Sequence, residues 1–336
     1  MTPDSDAGQP DRHDIDQAGM HEPQVDAVVL SSQIFSHSGQ VSSTAQPVLD
    51  DEVQAGSRQR LRALGELVRR PKFVFGLVCF GAVVLLAILA PIVAHYNPNT
   101  PNFSAVNQNP SSAHIFGTDY LGRDIWARLA WGGRTSLPAG CLVVIFSFII
   151  GVPWGIVAGY GGRVADDLLM RLIDVLLALP GLVLALSIVA ILGPSIRSVI
   201  IALGIAGIPA YARIARASTL MTKELDYVSA ARAHGAGPIH IMRVHVLRNI
   251  IQPLVIVATL NLSGAILAAA ALSFLGIGTQ LPAADWGTML SSGYNYMFDS
   301  WAQVTFPAVI IVVAVLGINL LGDALGEVLN PRSHRL

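Results

Sequence analysis

The amino-acid sequence predicts an all-α membrane protein with six transmembrane helices and both termini on the cytoplasmic side. Three observations support that reading. Only 13% of the 336 residues are charged and 53% are hydrophobic, at a mean hydropathy of +0.57, whereas soluble domains carry about 25% charged residues. The apolar residues gather in six runs, most of them close to the roughly 20 residues that a spanning helix needs. Of the 21 Lys and Arg, only Arg123, Arg128, Arg134 and Arg197 fall outside when the N-terminus is placed inside, which is the bias that orients membrane proteins. A formal net charge of -1 excludes the basic character of a nucleic-acid binder.

Taken in order, residues 1–65 are rich in Asp, Gln, Ser, His and Pro and lack apolar periodicity. They read as a disordered cytoplasmic tail, with no basic-then-apolar secretion signal at the start. A short basic amphipathic piece ending in Arg69, Arg70 and Lys72 precedes the first span, "FVFGLVCFGAVVLLAILAPIVAHY". Residues 66–137 comprise this span and an external segment rich in turn formers. Five further spans, over 138–160, 172–193, 196–212, 250–277 and 303–322, make up a core at 138–331. The fourth is the weakest, because Gly204, Gly207 and Pro209 interrupt it; such breaks are tolerated where neighbouring helices restore the backbone bonding. Trp126, Trp131, Trp286 and Trp301 lie near span ends and read as interfacial anchors. Cys79 and Cys141 lie inside apolar runs and read as buried small hydrophobes, with no disulfide framework.

The loop at 213–250 is polar yet lies between two apolar runs, and it far exceeds the roughly 2–8 residues usual between helices. Its stretch "RASTLMTKELDYVSAARAHGA" holds good helix formers. Asp226 is expected to cap a helix starting near Tyr227, and Gly235, Gly237 and Pro238 to end it. On such a helix Tyr227, Ala230, Ala231 and His234 share one side. An aromatic anchor among small side chains suits a partner's groove. A surface helix serving only its own fold is the other reading, and the residues alone leave both open.

Other chemistry finds little support. His234, His240 and His245 are spaced by six and five, unlike the three or four of metal-binding helices, so no metal site is expected. No Ser/His/Asp set falls in the spans, and no catalytic residue is assigned. The chain has no G-x-x-x-x-G-K-[ST] phosphate loop, and "GYGGR" reads as a tight turn. Polar residues inside spans are informative. Asn261 and Ser263 in the fifth span and Asn319 in the sixth are candidates for a hydrophilic path, or else for interhelical hydrogen bonds beside the small-residue run "SGAILAAAA". Asp174 and Asp323 read as interface charges. An ion-gradient-driven secondary transporter would show inverted repeats and buried carboxylates, and neither is evident.

The order "DYVSAARAHGAG" then "HVLRNIIQPL" resembles the EAA loop of bacterial ABC importer permeases, in its dipeptide/oligopeptide subclass. "FGTDYLGRDIWARLAWGGRTSL", "GIVAGYGGRVADDLLMRLIDVLLALPGLVLAL" and "ALSFLGIGTQLPAADWGTML" are similar to segments of the same subclass. The resemblance covers about residues 66–331. It implies a type I ABC importer permease fold in the bacterial inner membrane, paired with a second homologous permease subunit. It also implies two ATPase subunits that carry ATP and magnesium, an external substrate-binding protein and a peptide substrate, with no cofactor in this chain itself. Nickel and glutathione importers use similar permeases and stay open. Mapped onto this sequence, the ATPase contact falls on Asp226, Tyr227, Ala230, Ala231 and Gly235, with His234 beside them. Two positions depart from the family pattern: Ser229 stands where many members have Glu, and Arg248 where Pro usually follows "HVL".

Overall fold

The computed structural model describes residues 70–329. The expected tail, most of the basic piece before the first span, and Arg332 and Arg335 lie outside these residues. Every regular element among them is helical, and the backbone pairs in sheet fashion only at a single bridge between Thr118 and Asp124. Helix α1 spans Pro71–Ile88, and a further turn follows at Ala90–Val93. Then come α2 (Ile125–Tyr160), α3 (Arg163–Leu177), α4 (Gly181–Leu192), α5 (Ile196–Thr222) and α6 (Asp226–Ala233). A short α-helical turn at Pro238–His240 and a π-helical stretch at Ile241–Val246 lead directly into α7 (Leu247–Phe274). Helices α8 (Trp286–Tyr294) and α9 (Ala302–Leu329) complete the chain.

Five of these helical stretches are long and apolar enough to cross a membrane, and the count reaches six when α3 and α4 are taken as one span bent by 85°. The sequence reading placed a single span at 172–193. The bend has a local cause: Pro180 cannot continue a helix from the turn before it and stands instead as the N-cap of α4. Two more boundaries differ from expectation. Helix α2 begins at Ile125 rather than near 138, because the side chain of Asp124 accepts a hydrogen bond from the Ala127 amide (2.8 Å) and caps it there. Helix α5 runs on to Thr222, so the first ten residues of the supposed 213–250 loop belong to a span.

The weak fourth span turns out to be half of the most extensive helix pair, α2 with α5. Three glycines spaced by four, Gly151, Gly155 and Gly159, let the two backbones approach. A Cβ on Gly155 would stand 2.2 Å from the Ala212 carbonyl oxygen, and one on Gly151 2.7 Å from that of Ile208. Small residues at this spacing allow the close packing that holds helices together where lipid removes the hydrophobic drive. Lower down, Arg216 makes a bidentate ion pair with Asp166, and Arg213 reaches Asp174 at 2.7 Å. These pairs tie the inner end of α5 to α3. The Lys223 ammonium donates to the Gly159 carbonyl at 3.0 Å, a cation at the C-terminal end of α2 where the helix dipole favours one.

Trp286 is not an interfacial anchor. It is fully buried, its indole N–H donates to the Leu129 carbonyl at 2.9 Å, and its ring lies on Gly132 and Gly133. Trp126 is partly buried and donates to the Val93 carbonyl, Trp131 carries the Arg134 guanidinium over its ring, and Trp301 is exposed. Cys79 and Cys141 are free thiols and only half-buried.

Candidate coupling surface and substrate path

The inner-side helix forms where the sequence places it, but with a different cap. Leu225, not Asp226, is the N-cap, and no side chain caps the first amides. Asp226 stands as the first helical residue, where its charge favours the helix dipole. The C-terminus closes as expected. Gly235 has φ of 82°, its amide donates to Arg232, and the Ala236 amide donates to Ala231. That pair of bonds is the Schellman motif, which needs a left-handed residue at the position Gly235 fills.

Val228 fixes the orientation of α6. It is fully buried and packs with Val152 and Ile156 of α2, Tyr211 and Ala215 of α5, and Ile241, Val246, Ile250 and Leu254. With Val228 turned inward, Asp226, Tyr227, Ala230, His234 and Gly235 are exposed, while Ala231 is half-buried. Tyr227, Ala230 and His234 therefore form one outward row, and Ala231 sits at its edge beside Val228. Tyr227 is 44% exposed, and its ring lies 6.0 Å from the His245 ring. The His234 ring meets the Ala230 carbonyl at 2.8 Å. Among the described residues no group of His, Cys, Asp and Glu could hold a metal ion.

Next, residues 234–237 join α6 to a long helical rod. From Pro238 to Phe274 the chain is helical throughout, the Ile241–Val246 stretch being π-helical. Arg248, where the family pattern has Pro, is the second residue of α7 and lets the helix continue. Part-way along that rod, Asn261 lines a cavity of about 300 Å³ together with Ser147, Tyr211, Ala206, Gly264 and Ala268. Ser263 and Asn319 do not open onto it. The Ser263 hydroxyl donates to the Asn319 side chain at 2.6 Å, joining α7 to α9. Asn261 is thus the one member of the expected path trio that lies on the cavity.

The outer side holds a second polar constellation, to which the sequence reading gave no roles. The Asp119 carboxylate accepts from the amides of Leu121 and Arg123 and from the Arg123 guanidinium, all within 2.9 Å, and Arg128 stands 3.5 Å away. Arg128 also donates to the Pro98 carbonyl at 2.7 Å. Gly122, with φ of 73°, presses so close to Asn102 that a Cβ would stand 1.8 Å from its carbonyl oxygen. Asp124 accepts from the Ala127 amide and meets His114 at 2.9 Å. Asp285 caps α8 and takes the Ser136 hydroxyl at 2.7 Å. The side chains of Asp119, Arg123, Asp124, Arg128 and Asp285 are all buried.

Such a bundle, with a small exposed helix on one side and a buried charged cap on the other, defines a polytopic helical membrane protein. Residues 151–335 match the family described as binding-protein-dependent transport system inner membrane component. Residues 60–110 match the N-terminal TM domain of oligopeptide transport permease C. The chain therefore belongs to the binding-protein-dependent transport system inner membrane component family, the multi-pass inner-membrane permease subunits of ABC importers. It is 46% identical over 266 residues to a putative peptide transport system permease protein of Brucella suis, covering 79% of this chain and 90% of that one. It is 44% identical to the di/tripeptide transport system permease protein DppC of Pseudomonas aeruginosa, covering 76% and 87%. It is 39% identical to the probable D,D-dipeptide transport system permease protein DdpC of Escherichia coli, covering 78% and 88%. Among solved structures, the inward-facing MetNI methionine ABC transporter shares the fold, with a TM-score of 0.50 and 21% identity over 61% of this chain and 97% of that one.

Proposed function

We propose that this chain forms half of the translocation pathway of an ATP-driven importer of dipeptides and short oligopeptides. In this reading α6 is the part on which the ATPase subunits act. One observation carries it: an exposed Tyr227–Ala230–His234 row lies on α6, which packs through Val228 onto Ile241, Val246, Ile250 and Leu254 of the helical run that continues as α7, and α7 carries Asn261 along the wall of the cavity. A displacement of α6 therefore moves the cavity wall. Asp226 and Gly235 bound the row, and Ala231 belongs at its rim. The names of the relatives support a peptide cargo, and Asn261 offers both a donor and an acceptor to a peptide backbone.

The hydrolysis of ATP with magnesium belongs to partner ATPase subunits. A second homologous permease would close the pathway and an external binding protein would deliver the peptide. This chain's own task is mechanical. Val228 holds α6 against the inner cluster, and the Asp166–Arg216 pair keeps α3 and α5 moving together.

The test is reconstitution of the complete importer in liposomes with its ATPase subunits and binding protein, measuring ATP-dependent uptake of a labelled dipeptide. Uptake that requires the ATPase subunits and is abolished by Tyr227→Ala, in a complex that still assembles, is the expected result. Uptake driven by an ion gradient without ATPase subunits would refute the reading.

A further inference from the structure

The inner surface carries a second cavity that neither the path nor the coupling row uses. It is an apolar recess of about 330 Å³ between the last turns of α2 and the π-helical elbow. Pro153, Ile156 and Val157 form one wall, and Ile239, Met242 and Leu247 the other. Arg243 is the single charged residue on the lining. Its side chain has no hydrogen bond or ion pair among the described residues and is exposed. Ile239 is 65% exposed and Val157 45%, so the recess opens outward and an apolar occupant can reach it.

Depth along α2 narrows the choice of occupant. Val157 lies three residues and Pro153 seven residues before the end of the helix at Tyr160. At 1.5 Å per residue the recess sits about 5 to 10 Å from the inner helix end, a distance comparable to the depth at which apolar faces are buried at the headgroup and acyl boundary. A recess lined in this way holds water poorly. An arginine with its stem on apolar surface and its head toward the phosphate plane is the snorkelling arrangement, and guanidinium pairs with phosphate through two parallel hydrogen bonds.

We propose that the recess binds an anionic phospholipid of the inner leaflet, with an acyl chain between α2 and the elbow and the phosphate on Arg243. No acidic side chain lines the recess to oppose it. The lipid wedges the Ile241–Val246 stretch against α2. That stretch is π-helical, a geometry that recurs at functional sites, and Met242 adapts readily to an irregular occupant. The composition of the inner leaflet would then set the rest position of α6. This consequence for coupling rests on the proposed function; the binding itself does not.

The experiment purifies the complete importer from membranes containing phosphatidylglycerol and counts, by mass spectrometry, the phosphatidylglycerol retained per complex after detergent washing. Arg243→Gln should lower retention about five-fold, as expected for one basic residue at an anionic surface. Val157→Trp, which fills the recess and leaves the charge in place, should do the same. Equal retention in wild type and both variants would overturn the proposal. So would loss of the lipid on adding inorganic phosphate, which would make Arg243 a free-phosphate site. A third variant, Ile239→Cys, should react with a lipid-soluble maleimide whether or not the ATPase subunits are bound. Protection only by those subunits would assign the recess to a protein partner and sink the lipid. Because lipid counting needs no transport, a failure here is separable from a failure of the importer reading.

Discussion

The outer cap and the inner elbow are both polar regions at the ends of apolar helices, and they differ in where their polar groups point. In the cap Asp119, Arg123, Arg128, Asp124 and Asp285 are buried and bonded to one another or to backbone. On α6, Asp226, Tyr227 and His234 are exposed, and only Val228 of that helix is committed to the interior. Buried charges are retained when their partners are complete and are very costly when one partner is lost. Exposed side chains on a short helix cost little to change and leave the fold standing. The cap is therefore built to hold a shape, and the elbow to be handled by something else.

Five substitutions would break or sharpen this contrast. The largest effect is expected from Arg128→Ala, which leaves Asp119 short of a buried partner and frees the Pro98 carbonyl. It should cost about 3–5 kcal/mol, read as a lowered melting temperature and reduced yield of folded protein in detergent. Gly122→Ala comes next, because its Cβ would collide with Asn102 in a backbone conformation that L residues rarely adopt. Its expected signature is faster proteolysis of the 97–124 segment, with the membrane helices intact. Tyr227→Ala should shift the melting temperature little, within about 0.5 kcal/mol, yet weaken association with the ATPase subunits by about 2 kcal/mol, the scale of an interface hot spot. If it lowered stability as much as Arg128→Ala, the elbow would be structural and the contrast false. The smallest effect belongs to Asn319→Ala, which breaks one interhelical hydrogen bond worth about 0.6 kcal/mol. Dipeptide uptake should persist in it and fall in Asn261→Ala.

The helical class and the approximate spans were legible in the sequence, because apolar runs and the Lys and Arg bias report directly on the bilayer. The helix at 226–233 and its end at Gly235 were legible too, since a left-handed stop is a local property. Three features escaped for a shared reason: they depend on what lies opposite. "WARLAWGGRTS" read as part of an external segment rich in turn formers, yet it is helical from Ile125 and Arg128 is buried against carbonyls more than 25 residues away in sequence. Trp286 read as an anchor because tryptophans at span ends usually are, and only its seat on Gly132 and Gly133 shows otherwise. Gly204 and Gly207 read as weakness, although they abut Phe146 and Ser147 of α2. The Gly151, Gly155 and Gly159 repeat was the signal that could have revealed the α2–α5 seam. The substrate trio divided for the same reason, since nothing local tells an asparagine facing a cavity from one bonded to a serine on the next helix.

The unbroken run from Pro238 to Phe274 has a geometric corollary. Thirty-seven residues at 1.5 Å each make a lever of about 55 Å, longer than the roughly 30 Å hydrocarbon layer. If such a beam pivots within the bilayer, its two extremities swing in opposite senses, so that narrowing at one mouth accompanies widening at the other. Pro253 lies inside α7 and lacks the amide that would complete the ladder there, a softened joint between foot and wall. Stiffening or loosening that joint would change how far the upper arm travels for a given push below.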